Sequence, residues 1–182
     1  MTNTITLSPL NEENLLHLFQ AGFQEEKPLW KNYAAPYFDD YQSYPDFETF
    51  KRSQRYKWFQ KNSVIGIQVN QQAIGCLSYY WECQATRWLE VGIEIYDPSN
   101  WNKGYGTLAL QAWIEQLFHD FKDLEHIGLT TWSGNPGMMK TAEKLGMKKE
   151  AQIRKVRYWQ GHYYDSIKYG VLRKEWSFKN HQ

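Results

Sequence analysis

Hydrophobic residues recur every three or four positions in several stretches of the chain, which is the spacing of an amphipathic helix. The first stretch follows Asn11, a suitable N-cap, and the second starts at Asp46. A third follows a pair of glycines near residue 105, and a short fourth one covers residues 135–147. These patterns predict four helices, with mostly irregular chain between residues 27 and 45.

Alternation of apolar and polar residues predicts β-strands in much of the remaining chain. The predicted elements follow in the order β, α, α, a three-strand meander, α, β, α and a final hairpin. We therefore expect a mixed α/β (α+β) fold that forms a single domain over residues 1–182. The predicted strands cover residues 4–7, 63–69, 73–83, 87–96, 126–132, 149–159 and 163–172.

The composition narrows the possible classes of protein. With 182 residues and 42% hydrophobic content, the chain can bury one substantial core. The net charge of +1 gives no electrostatic reason to expect a nucleic-acid or membrane partner. The sequence begins without a secretory signal, and no apolar run approaches the ~20 residues needed to cross a bilayer, so we expect a cytoplasmic protein. Cys76 and Cys83 lack the spacing of a metal or disulfide motif, so no metal is expected.

The segment DPSNWNKGYGT, residues 97–107, places two glycines between an alternating run and a helical pattern. A helix N-terminus offers unpaired N–H groups and a partial positive charge, and glycine lets a phosphate approach the backbone. The segment therefore predicts a pyrophosphate cradle, with the Lys103 ammonium and the Thr107 hydroxyl nearby. The rim of this cradle consists of Asn102, Lys103, Gly104, Tyr105, Gly106 and Thr107.

Two other interpretations of these glycines stay open. A tight strand-to-helix turn without any ligand has a similar sequence. GYGTLA also satisfies the dinucleotide-binding pattern GxGxxG/A. However, DPSNWNK separates the glycines from the preceding strand, and the next strand ends without the acid that would hold a ribose.

Three longer motifs occur in order along the chain: EVGIEIYDPSNWNKGYGTLALQAWI, NPGMMKTAEKLGMKKEAQIR and GHYYDSIKYGVLRKEW. Together they resemble the GNAT superfamily of N-acetyltransferases, and most closely its ribosomal-protein N-terminal acetyltransferase-like (RimJ/RimL-type) branch. The resemblance covers at least residues 87–176. It implies a mainly antiparallel sheet of about seven strands flanked by helices on both faces, and a transferase that uses acetyl-CoA as co-substrate.

The resemblance also implies where acetyl-CoA binds. The family loop Q/R-x-x-G-x-G/A binds the CoA pyrophosphate and aligns with Trp101 to Gly106, although tryptophan replaces the usual Gln or Arg. The strand that contains Ile93 and Ile95 is implied to pair its backbone with the pantetheine arm. Asn135 matches an asparagine that contacts the CoA moiety on the opposite side.

Acetyl transfer to an amine needs a route for the amine proton, donors for the developing oxyanion and sometimes an acid for the thiolate. Glu90 and Glu94 are the candidate bases, because their spacing places both on one strand face and an apolar cleft would raise their pKa. The alternative for each is a surface or ion-paired strand residue. A backbone N–H near Ile95 is the candidate oxyanion donor. The tyrosine acid of many family members aligns with Ala142, so this chain lacks it.

The acceptor is expected to be a primary amine of a small molecule or of a protein N-terminus. The aromatic and acidic segment over residues 32–48 indicates either a pocket for an amine-bearing cation or aromatic packing of the first helices on the sheet. Tyr163, Tyr164 and Asp165 either border the acceptor pocket or belong to the sheet, and Ser133 either contacts substrate or caps a helix. A non-catalytic CoA-binding module is the alternative function, and a homodimer is left open.

Overall fold

The computed structural model describes residues 4–179. The chain divides into two compact units, Met1–Ser78 with Ile93–Ala109 and Tyr79–Gly92 with Leu110–Gln182. Two strands and one helix pass from one unit into the other. The single domain expected from the sequence stays a prediction.

Six α-helices and seven strands are present in the described part of the chain. The helices are α1 (Glu12–Gly22), α2 (Phe47–Lys51), α3 (Gln54–Phe59), α4 (Tyr105–Asp120), α5 (Pro136–Lys144) and α6 (Arg173–Lys179), and short 3₁₀ helices cover Leu29–Asn32 and Pro98–Asn100. The strands are β1 (Thr6–Ser8), β2 (Val64–Val69), β3 (Gln72–Cys83), β4 (Trp88–Ile95), β5 (His126–Trp132), β6 (Lys148–Trp159) and β7 (His162–Leu172). Their order in one sheet is β1-β2-β3-β4-β5-β7-β6.

Side-chain caps set the start of each α-helix in the first half of the chain. The side chain of Asn11 accepts from the N–H three residues later at 2.8 Å, as the sequence predicted for α1. Asp46 caps α2 in the same way, at 2.7 Å. The sequence predicted one continuous helix from Asp46, which is wrong. Ser53 accepts from the N–H of Tyr56 at 3.0 Å and starts a new helix, α3.

Aromatic side chains build the core of the first unit. The Phe23 ring lies 5.2 Å from that of Phe50 and 5.0 Å from that of Tyr96, between ring centroids. Full burial of one such side chain stabilises the fold by roughly 1.5–3 kcal/mol. Gly22 makes room for Tyr96, because a Cβ there would lie 2.8 Å from the ring. The buried aromatic residues of this half are Phe19, Phe23, Trp30, Tyr44, Phe50 and Phe59.

The strands of the first unit pair antiparallel, β1 with β2 and β2 with β3. Asn70 and Gln71 connect β2 to β3 with φ of 51° and 67°, which suits a two-residue hairpin turn. A Cβ on Gly75 of β3 would lie 2.1 Å from the carbonyl oxygen of Glu94 in β4. The two backbones approach here to a distance that only glycine permits.

The second unit contains the parallel pair of the sheet. β4 and β5 run parallel, with Glu90 opposite Gly128, and helix α4 connects them. β5 pairs antiparallel with β7, and β6 pairs antiparallel with β7. The register of β6 shifts between residues 153 and 157, where Lys155 has a φ of 56°.

Arg173 at the start of α6 ties the chain to the end of α4. Its guanidinium donates to the carbonyls of Phe118, Phe121 and Leu124 at 2.6–2.8 Å. These bonds satisfy carbonyl groups at the C-terminal end of the helix and bring a positive charge to it. Helix α6 was not predicted from the sequence pattern. The predicted apolar face of α4 is buried at Leu110, Ile114, Leu117 and Phe118.

The predicted fold class is confirmed: the protein has a mixed α/β fold with a seven-stranded, mostly antiparallel sheet and helices. Among residues 4–179, no helix combines the length and the apolar character that crossing a membrane would require. Over the same range, no group of three or more His, Cys, Asp or Glu residues is placed to hold a metal ion.

Candidate functional site

Helix α4 begins with a stretch of open backbone. Asn102 and Gly104 have left-handed φ values of 59° and 84°, and nothing described lies within 4 Å of a Cβ placed on Gly104. The first main-chain hydrogen bond of α4 runs from the Leu108 N–H to the Gly104 carbonyl oxygen at 3.1 Å. The three amides before Leu108 therefore have no hydrogen-bond partner inside the described helix. The first turn of α4 carries no acidic residue. This geometry suits an anion.

Trp101 fixes the loop that precedes α4. Its indole N–H donates to the Ile95 carbonyl at 2.9 Å, and its ring meets the Tyr33 ring edge to face at 5.4 Å between centroids. The indole has a single N–H, which the protein itself uses. The donors of this loop are therefore main-chain amides, together with the exposed Lys103 at its rim.

The end of β4 lies beside this loop within the first unit. A Cβ on Gly106 would lie 3.6 Å from Ile93 Cδ1 and 3.7 Å from Ile95 Cδ1, which is ordinary van der Waals contact. The structure thus brings together Ile93, Ile95 and the glycine loop, three parts of the predicted acetyl-CoA site.

Glu94 is held by two partners, also in the first unit. Arg55 forms an ion pair with Glu94 Oε2, and the Tyr96 hydroxyl donates to the same oxygen at 2.6 Å. The Glu94 side chain remains 24% exposed. Water can therefore reach the carboxylate, as proton transfer through water requires.

Arg55 connects Glu94 to the aromatic core. Its guanidinium lies 4.5 Å from the centroid of the Trp58 ring and donates to the Tyr96 hydroxyl at 3.0 Å. Tyr96 in turn contacts the Cys76 thiol at 3.4 Å. Burial raises the pKa of Cys76 to about 12 and also raises the pKa of Tyr96, so both groups are protonated at neutral pH. Arg55 could not be recognised from the sequence, because 39 residues separate it from the carboxylate it binds.

Glu90 is buried in the second unit and accepts three hydrogen bonds. The hydroxyls of Tyr80 and Thr130 each donate to Oε2 at 2.6 Å, and the Lys168 ammonium donates to Oε1 at 2.7 Å. Lys168 also lies 5.2 Å from the centroid of the Trp88 ring. Only 2% of the Glu90 side chain is exposed.

These contacts favour the ionised form of Glu90. Burial alone would raise the pKa of Glu90, but the hydrogen bonds from Lys168, Thr130 and Tyr80 outweigh it and hold the pKa below its ordinary value of 4.5. The raised pKa expected from the sequence is therefore wrong for Glu90, since the carboxylate faces a lysine and two hydroxyls instead of an apolar cleft. The ion-paired alternative describes its surroundings, and a catalytic role stays a prediction.

The predicted residues around α5 have partners within the second unit. The Asn135 side chain caps α5 and accepts from Met138 N at 3.0 Å. The Ser133 hydroxyl accepts from the N–H of Asp165 at 3.0 Å, so it links two segments and does not cap the helix. Ala142 is fully buried and has no hydroxyl to donate.

The GHYYDSI segment has the contacts of a sheet. The Tyr164 ring packs against Trp132 at 4.7 Å between centroids, and the exposed Tyr163 packs against Tyr158 at 4.9 Å. The Asp165 carboxylate accepts from the Gln152 side chain at 2.6 Å and from a backbone N–H of β6 at 2.9 Å. These contacts agree with the sheet alternative for the segment.

Comparison with known proteins gives the family. The Acetyltransferase (GNAT) domain family matches residues 4–148, which is most of the chain. The protein belongs to the GNAT family of acetyltransferases. The superfamily predicted from the motifs is confirmed, and the match identifies the chain as an acetyltransferase domain.

Two similar curated proteins come from Bacillus subtilis (strain 168). One is the SPbeta prophage-derived uncharacterized N-acetyltransferase YokL, 39% identical over 89 residues, which cover 49% of each chain. The other is the uncharacterized N-acetyltransferase YoaA, 26% identical over 102 residues and 56% of each chain. The chain thus spans about half the length of the curated relatives it matches.

Solved structures share the fold. The acetyltransferase (GNAT family) from Bacillus anthracis aligns with a TM-score of 0.70 at 18% identity, over 94% of this chain and 96% of its own. A spermidine N-acetyltransferase from Vibrio cholerae, solved with CoA and spermine, aligns with a TM-score of 0.72 at 19% identity, over 95% and 98%. At these identities the likeness establishes the fold.

Proposed function

We propose that the protein is an acetyl-CoA-dependent N-acetyltransferase that moves the acetyl group to a primary amine. The observation that carries this proposal is the open backbone at the start of α4, where unpaired amides follow Gly104 and no acid occupies the first turn of the described helix. Family membership makes CoA the natural ligand of such amides. The cytoplasmic location stays a prediction.

Different residues of the first unit would bind different parts of acetyl-CoA. Main-chain amides from Asn102 to Thr107 would bind the pyrophosphate, and Lys103 would add a positive charge at the rim. The end of β4, with Ile93 and Ile95, would receive the pantetheine arm. Trp101 would act as a positioning residue, since it holds the loop to β4. Asn135, in the second unit, belongs to the proposed set through the family resemblance alone, and its side chain caps α5.

For the reaction itself, bound acetyl-CoA supplies a thioester whose carbonyl carbon is attacked by a neutral amine. Glu94 is the better candidate for receiving the amine proton, because part of its carboxylate is reached by water. The Tyr96 hydroxyl and Arg55 hold that carboxylate in place. Glu90 would have a structural role in β4, because its carboxylate oxygens already accept three hydrogen bonds.

The RimJ/RimL-type branch, and with it a protein N-terminus as acceptor, remains part of this proposal through the motif resemblance alone. A small-molecule amine is the other acceptor class. A non-catalytic CoA-binding module is the second candidate function. It is favoured by Ala142, which leaves the position of the family's tyrosine acid without a hydroxyl.

Calorimetric titration with CoA, NAD and ATP tests the binding part of the proposal. We expect CoA to bind most tightly, and Lys103→Glu to weaken CoA binding by about tenfold through charge reversal at the rim. Lys122→Glu, an exposed lysine just beyond the other end of α4, is the matched control and should bind CoA normally. Equal affinity for the three nucleotides would overturn the proposal. Thiol release over a panel of amines then separates the enzyme from the binding module.

A further inference from the structure

We propose that an open groove on α2 and α3 binds an oxyanion, either carboxylate or phosphate, that the acceptor amine carries. This inference rests on the proposed function, because it assigns the acceptor class of the same site. The acceptor would be a zwitterionic or phosphorylated amine in place of a polycation.

The groove has a volume of about 670 Å³ and lies within the first unit. Its walls come from the segment before α2, from both short helices and from the residues just after α3. Four of the residues that line it are cations, and one is an acid. They are Arg52, Arg55, Lys57, Lys61 and Asp40.

The charges of these residues do not cancel inside the groove. Arg55 is neutralised by Glu94, and Asp40 by Lys31. In the described structure, Lys57 and Lys61 are exposed and form no ion pair, so their charges remain available to a ligand. Two uncompensated ammonium groups in a concave surface favour an anion and repel a polycation.

The acids nearby are engaged with the protein itself, which argues against the cation pocket indicated by the sequence. Asp46 caps α2 by accepting from the Thr49 N–H at 2.7 Å. Glu48 lies 2.9 Å from the Lys51 ammonium. Of the aromatic residues in the same segment, Tyr44 is buried at 8% exposed, whereas Tyr33 and Phe38 are exposed. The segment therefore offers few free carboxylates to a cationic acceptor.

Arg55 connects the groove to the candidate base. Its side chain lines the groove and binds the Glu94 carboxylate, and it packs on Trp58, which also lines the groove. Arg55 thus belongs both to the groove and to the contacts of Glu94, so an acceptor whose anionic group lies near Lys57 and Lys61 would have its amine directed toward Glu94. This arrangement would orient the amine for transfer.

Matched pairs of amines test the inference. Tyramine is compared with tyrosine, and glucosamine with glucosamine 6-phosphate, by thiol release from acetyl-CoA. We expect kcat/KM to be about tenfold higher for the member with the anion in at least one pair, as two exposed charge contacts can provide. The preference should shrink at high salt.

The double variant Lys57→Gln/Lys61→Gln should remove most of this preference by raising KM for the member that carries the anion. Lys122→Gln/Lys144→Gln removes the same charge from exposed positions elsewhere and should keep the preference. A preference for the member without the anion, or a preference that survives the groove variant, would overturn the inference.

Calorimetry with inorganic phosphate and with glucosamine 6-phosphate on CoA-loaded protein separates this inference from catalysis. Binding that the groove variant abolishes supports the oxyanion site even if no amine is acetylated, in which case the enzymatic proposal alone fails. Phosphate binding without any preference among the amines would assign the site to a free anion and overturn the acceptor role. No anion binding in either experiment would overturn the site itself.

Discussion

Glu90 and Glu94 lie on the same strand, but the protein surrounds them differently. The two carboxylate oxygens of Glu90 accept hydrogen bonds from three donors, and its side chain is 2% exposed. Two donors meet one oxygen of Glu94, whose side chain is 24% exposed. The first carboxylate is an internal ion pair, whereas the second keeps an oxygen that the described contacts do not use. Equal spacing on a strand therefore does not give equal chemistry.

The partners that create this difference come from distant parts of the chain. Lys168 is 78 residues from Glu90, and Arg55 is 39 residues from Glu94. A partly buried lysine that pairs with a buried carboxylate gives that candidate base a structural role. Whether a carboxylate is available to accept a proton thus depends on residues of neighbouring elements. Variants of the two glutamates can measure this difference.

The largest expected effect is a loss of stability in Glu90→Ala. Removing this carboxylate takes from Lys168, Tyr80 and Thr130 the buried acceptor that they share, so the free energy of unfolding should fall by about 3–5 kcal/mol in denaturant titration. Glu82→Ala is the matched control, because Glu82 lies 3.6 Å from the same lysine and is 36% exposed. It should cost less than about 1 kcal/mol. Equal losses for the two variants would contradict the structural role of Glu90.

Glu94→Gln should act on catalysis instead. Replacing the proton acceptor by an amide should lower kcat/KM by about a hundredfold, equivalent to about 2.7 kcal/mol in the barrier. The free energy of unfolding should change much less than in Glu90→Ala. The measurement is a pH profile of kcat/KM for the variant and the wild type, corrected for the folded fraction. Full activity in Glu94→Gln would remove this residue from the mechanism.

The smallest effect is expected in the acid dependence of stability. Because the pKa of folded Glu90 lies below its ordinary value of 4.5, the unfolded chain binds this proton more tightly than the folded protein does. The contribution of Glu90 to stability is therefore complete above about pH 4.5 and is lost as the pH falls through the lowered folded pKa. Unfolding of the wild type and of Glu90→Gln should be compared between pH 3 and 6, at the same ionic strength. A parallel pH dependence in the two proteins would contradict the lowered pKa.

Local rules were sufficient for most of the secondary structure. Asn11 was recognised as a cap and Asp46 as the start of a helical pattern, and alternation gave all seven strands to within a few residues. The break at Ser53 was missed because a serine between two helical patterns is also compatible with one longer helix. Helix α6 was missed because its first residue, Arg173, is fixed by carbonyls 49 to 55 residues earlier.

The candidate site was predicted less completely. The glycine loop could be found because a short contiguous pattern carries both the helix start and the room for phosphate. Arg55 and Lys168 could not be found, because their roles depend on contacts between elements far apart in the chain. The pocket for an amine-bearing cation that the sequence indicated over residues 32–48 stays a prediction. The acids of residues 32–48 were visible in the sequence, whereas their internal partners were not.

Gly75 carries a consequence for protein engineering. Every other amino acid would place a carbon atom 2.1 Å from the Glu94 carbonyl oxygen, so even alanine and serine are excluded as conservative replacements. The absence of a Cβ at residue 75 thus permits the close approach of the β3 and β4 backbones beside the candidate base. Changes in other side chains cannot recover that approach once residue 75 is replaced. Libraries that aim to change the acceptor are best confined to the exposed positions of α2 and α3, with residue 75 kept invariant.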